Sequence, residues 1–444
     1  MSLSDRERAE GFRGCDCSSV VAVRAEVVRE YVCGHSRVSE RPSPRSDNYW
    51  TPRRRDRPVP SNLSCPSCGR TYAAGPDEPW RCECGRPLEL ADRPLPEESA
   101  PEFTEIDTRR GLWAFDDFLP VSPEVTLGEG FTPLQDAGST DWGSNVEFKL
   151  EYVFPSGSFK DRGAATTLSR AAELGVETVV EDSSGNAGAA IAQYAARAGI
   201  DAEIYVPADA KASKLAAIER AGATPIRVEG SRQDVTDACI ARVAGSATDG
   251  RGERRDPRQR GEDNAAWYAS HAWNPAFFAG TATFAFEVAA QRDWQVPDAV
   301  VTPLGHGTLF LGAYRGFRAL MEAGWTDRMP RLLGAQAAGY APIADELHGD
   351  ETDAGDNAVA DGIQIREPVR NDDILDAIAE TDGDAIALDS DPVADALDRL
   401  RRGGFYVEPT SAVAPAALAA FRERGRLDPD DEVVVALTGS GLKG

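Results

Sequence analysis

A lysine that opens a helix is the first feature with chemical consequence. In Phe154-Pro-Ser-Gly-Ser-Phe-Lys160-Asp-Arg-Gly163 the lysine begins the Ala-rich run that follows it. The dipole at a helix N-terminus opposes a positive charge, so the neutral amine is favoured there. A neutral amine condenses with an aldehyde cofactor to an imine. Only five lysines occur in the chain, at 149, 160, 211, 214 and 443, and all other basic residues are arginine. An arginine would have served any purely structural cation at position 160.

Three glycine-bearing segments each follow an apolar run and open a helix or turn. They are Asp182-Ser183-Ser184-Gly185-Asn186, then Thr302-Pro-Leu-Gly305-His306-Gly307-Thr308-Leu309, and Leu437-Thr438-Gly-Ser-Gly-Leu-Lys443. Taken singly, each is an ordinary turn. In an open parallel sheet, however, ligands lie beyond the carboxyl ends of the strands, so three such loops can converge. The backbone N–H groups of Gly305, His306, Gly307, Thr308 and Leu309, with one hydroxyl, suit a phosphate. The segment is neither a dinucleotide-binding glycine loop nor a P-loop.

Seven of the eight cysteines precede residue 85. Cys65-Pro-Ser-Cys68 and Cys82-Glu-Cys84 make two knuckles whose four thiolates can satisfy tetrahedral zinc, although the second is C-x-C. Cys15, Cys17, Cys33 and His35 form a second grouping on paper.

From about residue 100, apolar strand-like runs alternate with Ala-rich helical stretches, which predicts an α/β fold with parallel sheets covered by helices. Residues 1–60 hold 12 Arg against 9 Asp+Glu, with Pro-rich stretches and no apolar period, and are expected to be a disordered basic tail. Residues 61–95 form the cysteine-bearing segment, and 96–444 the catalytic region, with a small mobile subdomain at roughly 180–275. The intervals 244–263 and 350–361 read as charged connections. The whole chain carries 73 Asp+Glu against 48 Lys+Arg, a net charge of −25, which excludes a nucleic-acid surface. No apolar run reaches membrane-spanning length and the start lacks a secretory pattern, so a cytoplasmic protein without membrane partners is expected.

Read together, these motifs resemble the threonine synthase family of fold-type II pyridoxal-phosphate enzymes. The lysine segment is similar to its PTGSFKDRG signature, and Gly128-Glu-Gly-Phe-Thr132-Pro-Leu134 to the motif ahead of it. Ser183-Ser-Gly-Asn186 resembles the asparagine loop. Asn274-Pro with Gly280-Thr-Ala-Thr-Phe-Ala-Phe-Glu287 resembles the NP and EGxKT helix, and the C-terminus resembles LTGHGLK. The cysteine pairs resemble the zinc-ribbon-like leader of many members. The resemblance implies a tryptophan synthase β-like fold: two parallel-sheet domains with pyridoxal phosphate between them, and a homodimer. It implies that Lys160 holds the cofactor and shuttles protons between substrate carbons. Asn186 would meet the cofactor's 3′-hydroxyl, the 305–309 backbone its phosphate, and Thr438 its ring nitrogen, where a neutral hydroxyl tempers the electron sink. Ser183, Ser184, Arg162 and Asn274 are the candidate contacts to a small amino-acid substrate.

The chain departs from the family where a substrate phosphate would be gripped. Ala276-Phe277-Phe278 replaces an arginine-bearing stretch after Asn274-Pro275, Ala187 replaces a threonine, and Ala282 replaces a lysine. His306 stands where asparagine is usual. The expected reaction is conversion of O-phosphohomoserine and water to threonine and phosphate. The alternative is another β-replacement or elimination, of the serine/threonine dehydratase or phosphoserine-using, sulfonate-forming type. Glu408-Pro-Thr-Ser411 suits both. A catalytically inert barrel carried by a zinc-ribbon binding module is a third reading, opposed by the presence of Lys160, Asn186 and Thr438.

Overall fold

The computed structural model describes residues 59–138, 142–245, 266–349 and 355–443. The basic tail, the Cys15, Cys17, Cys33 and His35 grouping, most of the interval 244–263 and residues 350–354 lie outside the described residues.

Short strands β1 (Leu63–Ser64), β2 (Thr71–Tyr72) and β3 (Glu89–Leu90) make an antiparallel ribbon in the order β2-β1-β3. So small a unit cannot bury its own apolar face. Leu63, Cys65, Cys82, Leu88 and Leu90 share one core with Leu168, Ile191 and Tyr194. Arg170 on the next helix pairs with Glu78 at 2.6 Å, both buried, and Glu89 receives Arg315 and Arg370. The ribbon and both larger sheets belong to one unit spanning Arg53–Gly444.

Strands β4 (Leu134–Asp136) and β5 (Val146–Lys149) precede α1 (Lys160–Leu174). A four-stranded parallel sheet follows. Its strands β6 (Thr178–Glu181), β7 (Asp201–Pro207), β8 (Thr224–Val228) and β9 (Ala266–Tyr268) run in the order β8-β7-β6-β9. Between them lie α2 (Asn186–Ala198), α3 (Ala212–Arg220) and α4 (Arg232–Val243). Helices α1 and α2 stop at Gly175 and Gly199, each left-handed at φ 71° and 72°, a conformation that favours glycine.

The chain continues through α5 (Pro275–Gln291), β10 (Ala299–Pro303), α6 (Thr308–Glu322), β11 (Arg331–Ala337), α7 (Pro342–His348) and α8 (Asn371–Glu380). It ends with β12 (Asp384–Leu388), α9 (Ser390–Arg402), α10 (Val413–Glu423) and β13 (Val433–Ala436). The six-stranded sheet has the order β12-β11-β10-β13-β5-β4, parallel except for edge strand β4 against β5. Strands β10 and β13 lie side by side at its centre, and their following loops are 304–307 and 437–443. Those are two of the three glycine loops read from sequence, at the place where a doubly wound sheet leaves a crevice.

Helix α5 is buried along nearly its whole length, enclosed by α1 and α6. Close approach depends on small residues. A Cβ at Gly163 would lie 2.0 Å from the Phe277 ring, and one at Gly316 would lie 2.2 Å from the Ala282 carbonyl oxygen. Phe277 and Ala282 therefore serve helix packing, with Phe277 fully buried.

Candidate active site

Lys160 occupies the first turn of α1, and the Phe159 N–H donates to the Thr438 carbonyl at 3.0 Å, which joins the lysine segment to the loop after β13. Burial pushes the Lys160 amine down to about 8, against the opposing pull of Glu408 and Glu181. Uptake of an aldehyde cofactor needs the neutral amine. The rate at which cofactor-free protein recaptures pyridoxal phosphate is therefore expected to rise with pH and level off above about 8. A rate still climbing steeply toward pH 10 would assign the amine its ordinary value.

Asn186 opens α2. Its amide donates to both Glu408 oxygens at 2.9 and 3.0 Å, and its carbonyl oxygen accepts from Lys443 Nζ at 2.7 Å. Residues from the four-stranded sheet, the loop after α9 and the C-terminus thus meet beside Lys160. Burial raises the Glu408 carboxyl. Thr438 Oγ1 lies 3.1 Å from Ser411 Oγ, which accepts the Gly439 N–H at 2.8 Å. Ser183 is buried and accepts locally from the Gly185 N–H, and half-buried Ser184 lies next to it in the same loop.

Gly307, at φ 77°, opens the fifteen-residue helix α6, and no side chain caps that end. The first-turn N–H groups of a helix point outward and bear partial positive charge. Beside them, His306 Nδ1 is buried without a hydrogen-bond partner. An uncapped helix end with an unpartnered polar atom suits an anionic group, and Lys160 with a lowered amine suits an aldehyde. These residues fit pyridoxal phosphate.

Two of the candidate substrate contacts have protein partners for their polar groups. Arg162 does not face the cleft: it is fully buried and donates to Glu151 at 2.7 Å, to Glu287 at 2.6 and 2.8 Å, and to Thr283 at 2.9 Å. Its five donors are all taken up by this cluster. Asn274 caps α5. Its carbonyl oxygen accepts the Ala276 N–H at 3.0 Å and its amide donates to the Tyr268 carbonyl at 3.3 Å, so its polar atoms are likewise engaged.

The structure also assembles side chains that sequence patterns passed over. His271 Nδ1 lies 2.7 Å from Glu181 Oε1, and the His271 and His306 rings are 5.4 Å apart at 78°. Asp182 accepts from Thr236 Oγ1 at 2.6 Å and Tyr268 Oη at 2.8 Å. Burial pushes both histidines down to about 3, so they are neutral imidazoles, while burial and the adjacent Asp182 hold the Glu181 carboxyl well above its usual range. The available signal was the acidic pair Glu181-Asp182 ending an apolar strand directly before the asparagine loop.

Residues 125–439 match the family model described as "Pyridoxal-phosphate dependent enzyme". The chain is 33% identical to the threonine synthase of Methanocaldococcus jannaschii, over 85% of this chain and 92% of that one. The chain belongs to the threonine synthase family of pyridoxal-phosphate-dependent enzymes. It is also 33% identical to the threonine synthase of Methanosarcina acetivorans, over 75% of this chain and 80% of the relative, and 31% identical to that of Mycobacterium tuberculosis, over 74% and 87%. Among solved structures, maize serine racemase superposes with a TM-score of 0.57 at 23% identity, covering 76% of this chain and 93% of that one, which shows the shared fold. This family member is a pyridoxal-phosphate-dependent lyase acting on a small amino acid. Its four ribbon cysteines converge, with all Sγ atoms within 4.8 Å of one another. Among the described residues no helix is long and apolar enough to cross a membrane.

Proposed function

We propose that the protein converts O-phosphohomoserine and water to threonine and phosphate. The observation that carries this is a lysine segment bonded to the Thr438 carbonyl, in one site with the hydrogen-bonded pair Asn186 and Glu408, in a chain one-third identical to threonine synthases along most of its length. Bound pyridoxal phosphate supplies the electron sink that lets protons leave the substrate's carbons. Lys160 would hold the cofactor, with Asn186 at its hydroxyl, the 305–309 backbone at its phosphate and Thr438 at its ring nitrogen. With its amine free, Lys160 would take a proton from Cα and then from Cβ. Phosphate leaves from Cγ, a water oxygen adds at Cβ, and protons return to Cγ and Cα. The Phe159 ring, whose centroid lies 4.2 Å from Lys160 Nζ, limits stray protonation at the amine. The test compares phosphate release with threonine formation from O-phosphohomoserine against ammonia and keto-acid release from threonine or serine. Coupled phosphate and threonine support the proposal, and ammonia release alone overturns it in favour of a dehydratase.

The ribbon cysteines fit zinc. Cys65 and Cys84 Sγ are 3.6 Å apart, and Cys68 and Cys82 Sγ are 3.4 Å apart. These are far beyond a disulfide and close to the tetrahedral edge of about 3.8 Å that Zn–S bonds of about 2.3 Å require. We expect about one zinc per chain by elemental analysis, with Cys82→Ser releasing it and lowering the Tm by several degrees. Protein free of metal, with a Tm indifferent to both chelator and Cys82→Ser, would refute the site. The resemblance also carries a homodimer, which light scattering at twice the chain mass would test.

A further inference from the structure

An O-phosphohomoserine side chain ends in a dianion, yet the cations near Lys160 are nearly all committed. Lys160 serves the cofactor, Lys443 is bound to Asn186, Arg162 is enclosed by Glu151 and Glu287, and both histidines are neutral. Glu181, Asp182 and Glu408 have the wrong sign. Arg232 is exposed and has no hydrogen bond or ion pair among the described residues.

Its placement follows from the topology. Helix α4 starts directly after β8, so its first residue lies at the carboxyl edge of the four-stranded parallel sheet, the edge that carries Glu181, Asp182 and the asparagine loop after β6. Thr236, one turn further along the same helix face, donates to Asp182 at 2.6 Å. Side chains lean toward a helix's N-terminus, which keeps Arg232 at the sheet edge that also carries the Ser183, Ser184 and Asn186 loop. Its charge acts on Glu181, Asp182, His271 and His306 together.

We propose that Arg232 binds the phosphate end of the substrate in place of the polar residues that Ala187, Phe277 and Ala282 supplant. This rests on the threonine-forming function proposed above.

The test uses the holoenzyme. Arg232→Gln should raise KM for O-phosphohomoserine about 10- to 100-fold, the worth of one charge-assisted contact, with kcat changed only a few-fold, and Arg232→Lys should restore part of the loss. Competitive inhibition by inorganic phosphate should weaken by a similar factor, while the absorbance of the bound cofactor stays unchanged. Unchanged KM and phosphate inhibition in Arg232→Gln would overturn the proposal. So would loss of the cofactor with KM intact, which would place Arg232 on the cofactor instead. If the wild-type enzyme fails to turn over O-phosphohomoserine while inorganic phosphate still perturbs its cofactor absorbance through Arg232, the anion subsite stands and the threonine-forming function falls. No perturbation by phosphate in that case overturns both.

Discussion

Lys160→Ala is expected to abolish turnover, with a loss of about 10³-fold or more, and to remove the absorbance of covalently held cofactor. Two roles fall together in this residue, which is why the effect is large. It holds the cofactor, and it moves each proton between substrate carbons, a contribution of about 10²–10⁴ by itself. Its neighbours offer no replacement, since Lys443 is engaged by Asn186 and both nearby histidines are neutral but lie against Glu181 and the 305–309 loop. Lys160→Arg should be equally inactive, because guanidinium stays charged at working pH. Covalent absorbance and turnover surviving in Lys160→Ala would move the attachment to another residue and dissolve the proposed site.

Glu287→Ala is expected to cost about 3–5 kcal/mol of stability, the penalty for leaving buried cations uncompensated. Glu287 lies fully buried on α5, 2.6 Å from Arg162 and 2.8 Å from Lys149, which are fully buried as well. With Glu151 these residues join α1, α5 and β5, the elements beneath the lysine segment. Burial pushes the Glu287 carboxyl up, but Arg162 and Lys149 together hold it down to about 2. A carboxyl with a lowered folded value contributes stability that is complete above its unfolded value of 4.5 and fades as pH falls toward 2. Denaturant unfolding should therefore show a smaller fall between pH 4.5 and 2 in Glu287→Gln than in wild type. A change under about 1 kcal/mol in Glu287→Ala would show that the two cations find other partners.

The same cluster shows where sequence stopped. Arg162 belongs to the lysine motif, two residues from Lys160, so proximity in sequence suggested a substrate contact. On α1 a two-residue step turns a side chain through more than half a turn, away from the cleft and into the α5 interface. Asn274 shows a related limit. Asn-Pro before an apolar run signals both a motif and a helix cap, and only the Ala276 N–H and Tyr268 carbonyl distances decide for the cap. The partners of Glu181 and Asp182 come from positions 236, 268 and 271, distant in the chain and adjacent only because β6 lies between β7 and β9.

What the sequence by itself determined is local: the alternation of strands and helices, the lysine at a helix start, the glycine turns after strands and the paired cysteines. Each follows from periodicity, capping or backbone freedom within a few residues. What only the tertiary structure decided is which charges meet. It buried Arg162 against Glu151 and Glu287, filled the Phe277 position with helix packing, and set Arg232 at the same sheet edge as Asp182. Pairing of charges depends on burial and on distances across sheets, and neither is a property of neighbouring residues in the chain.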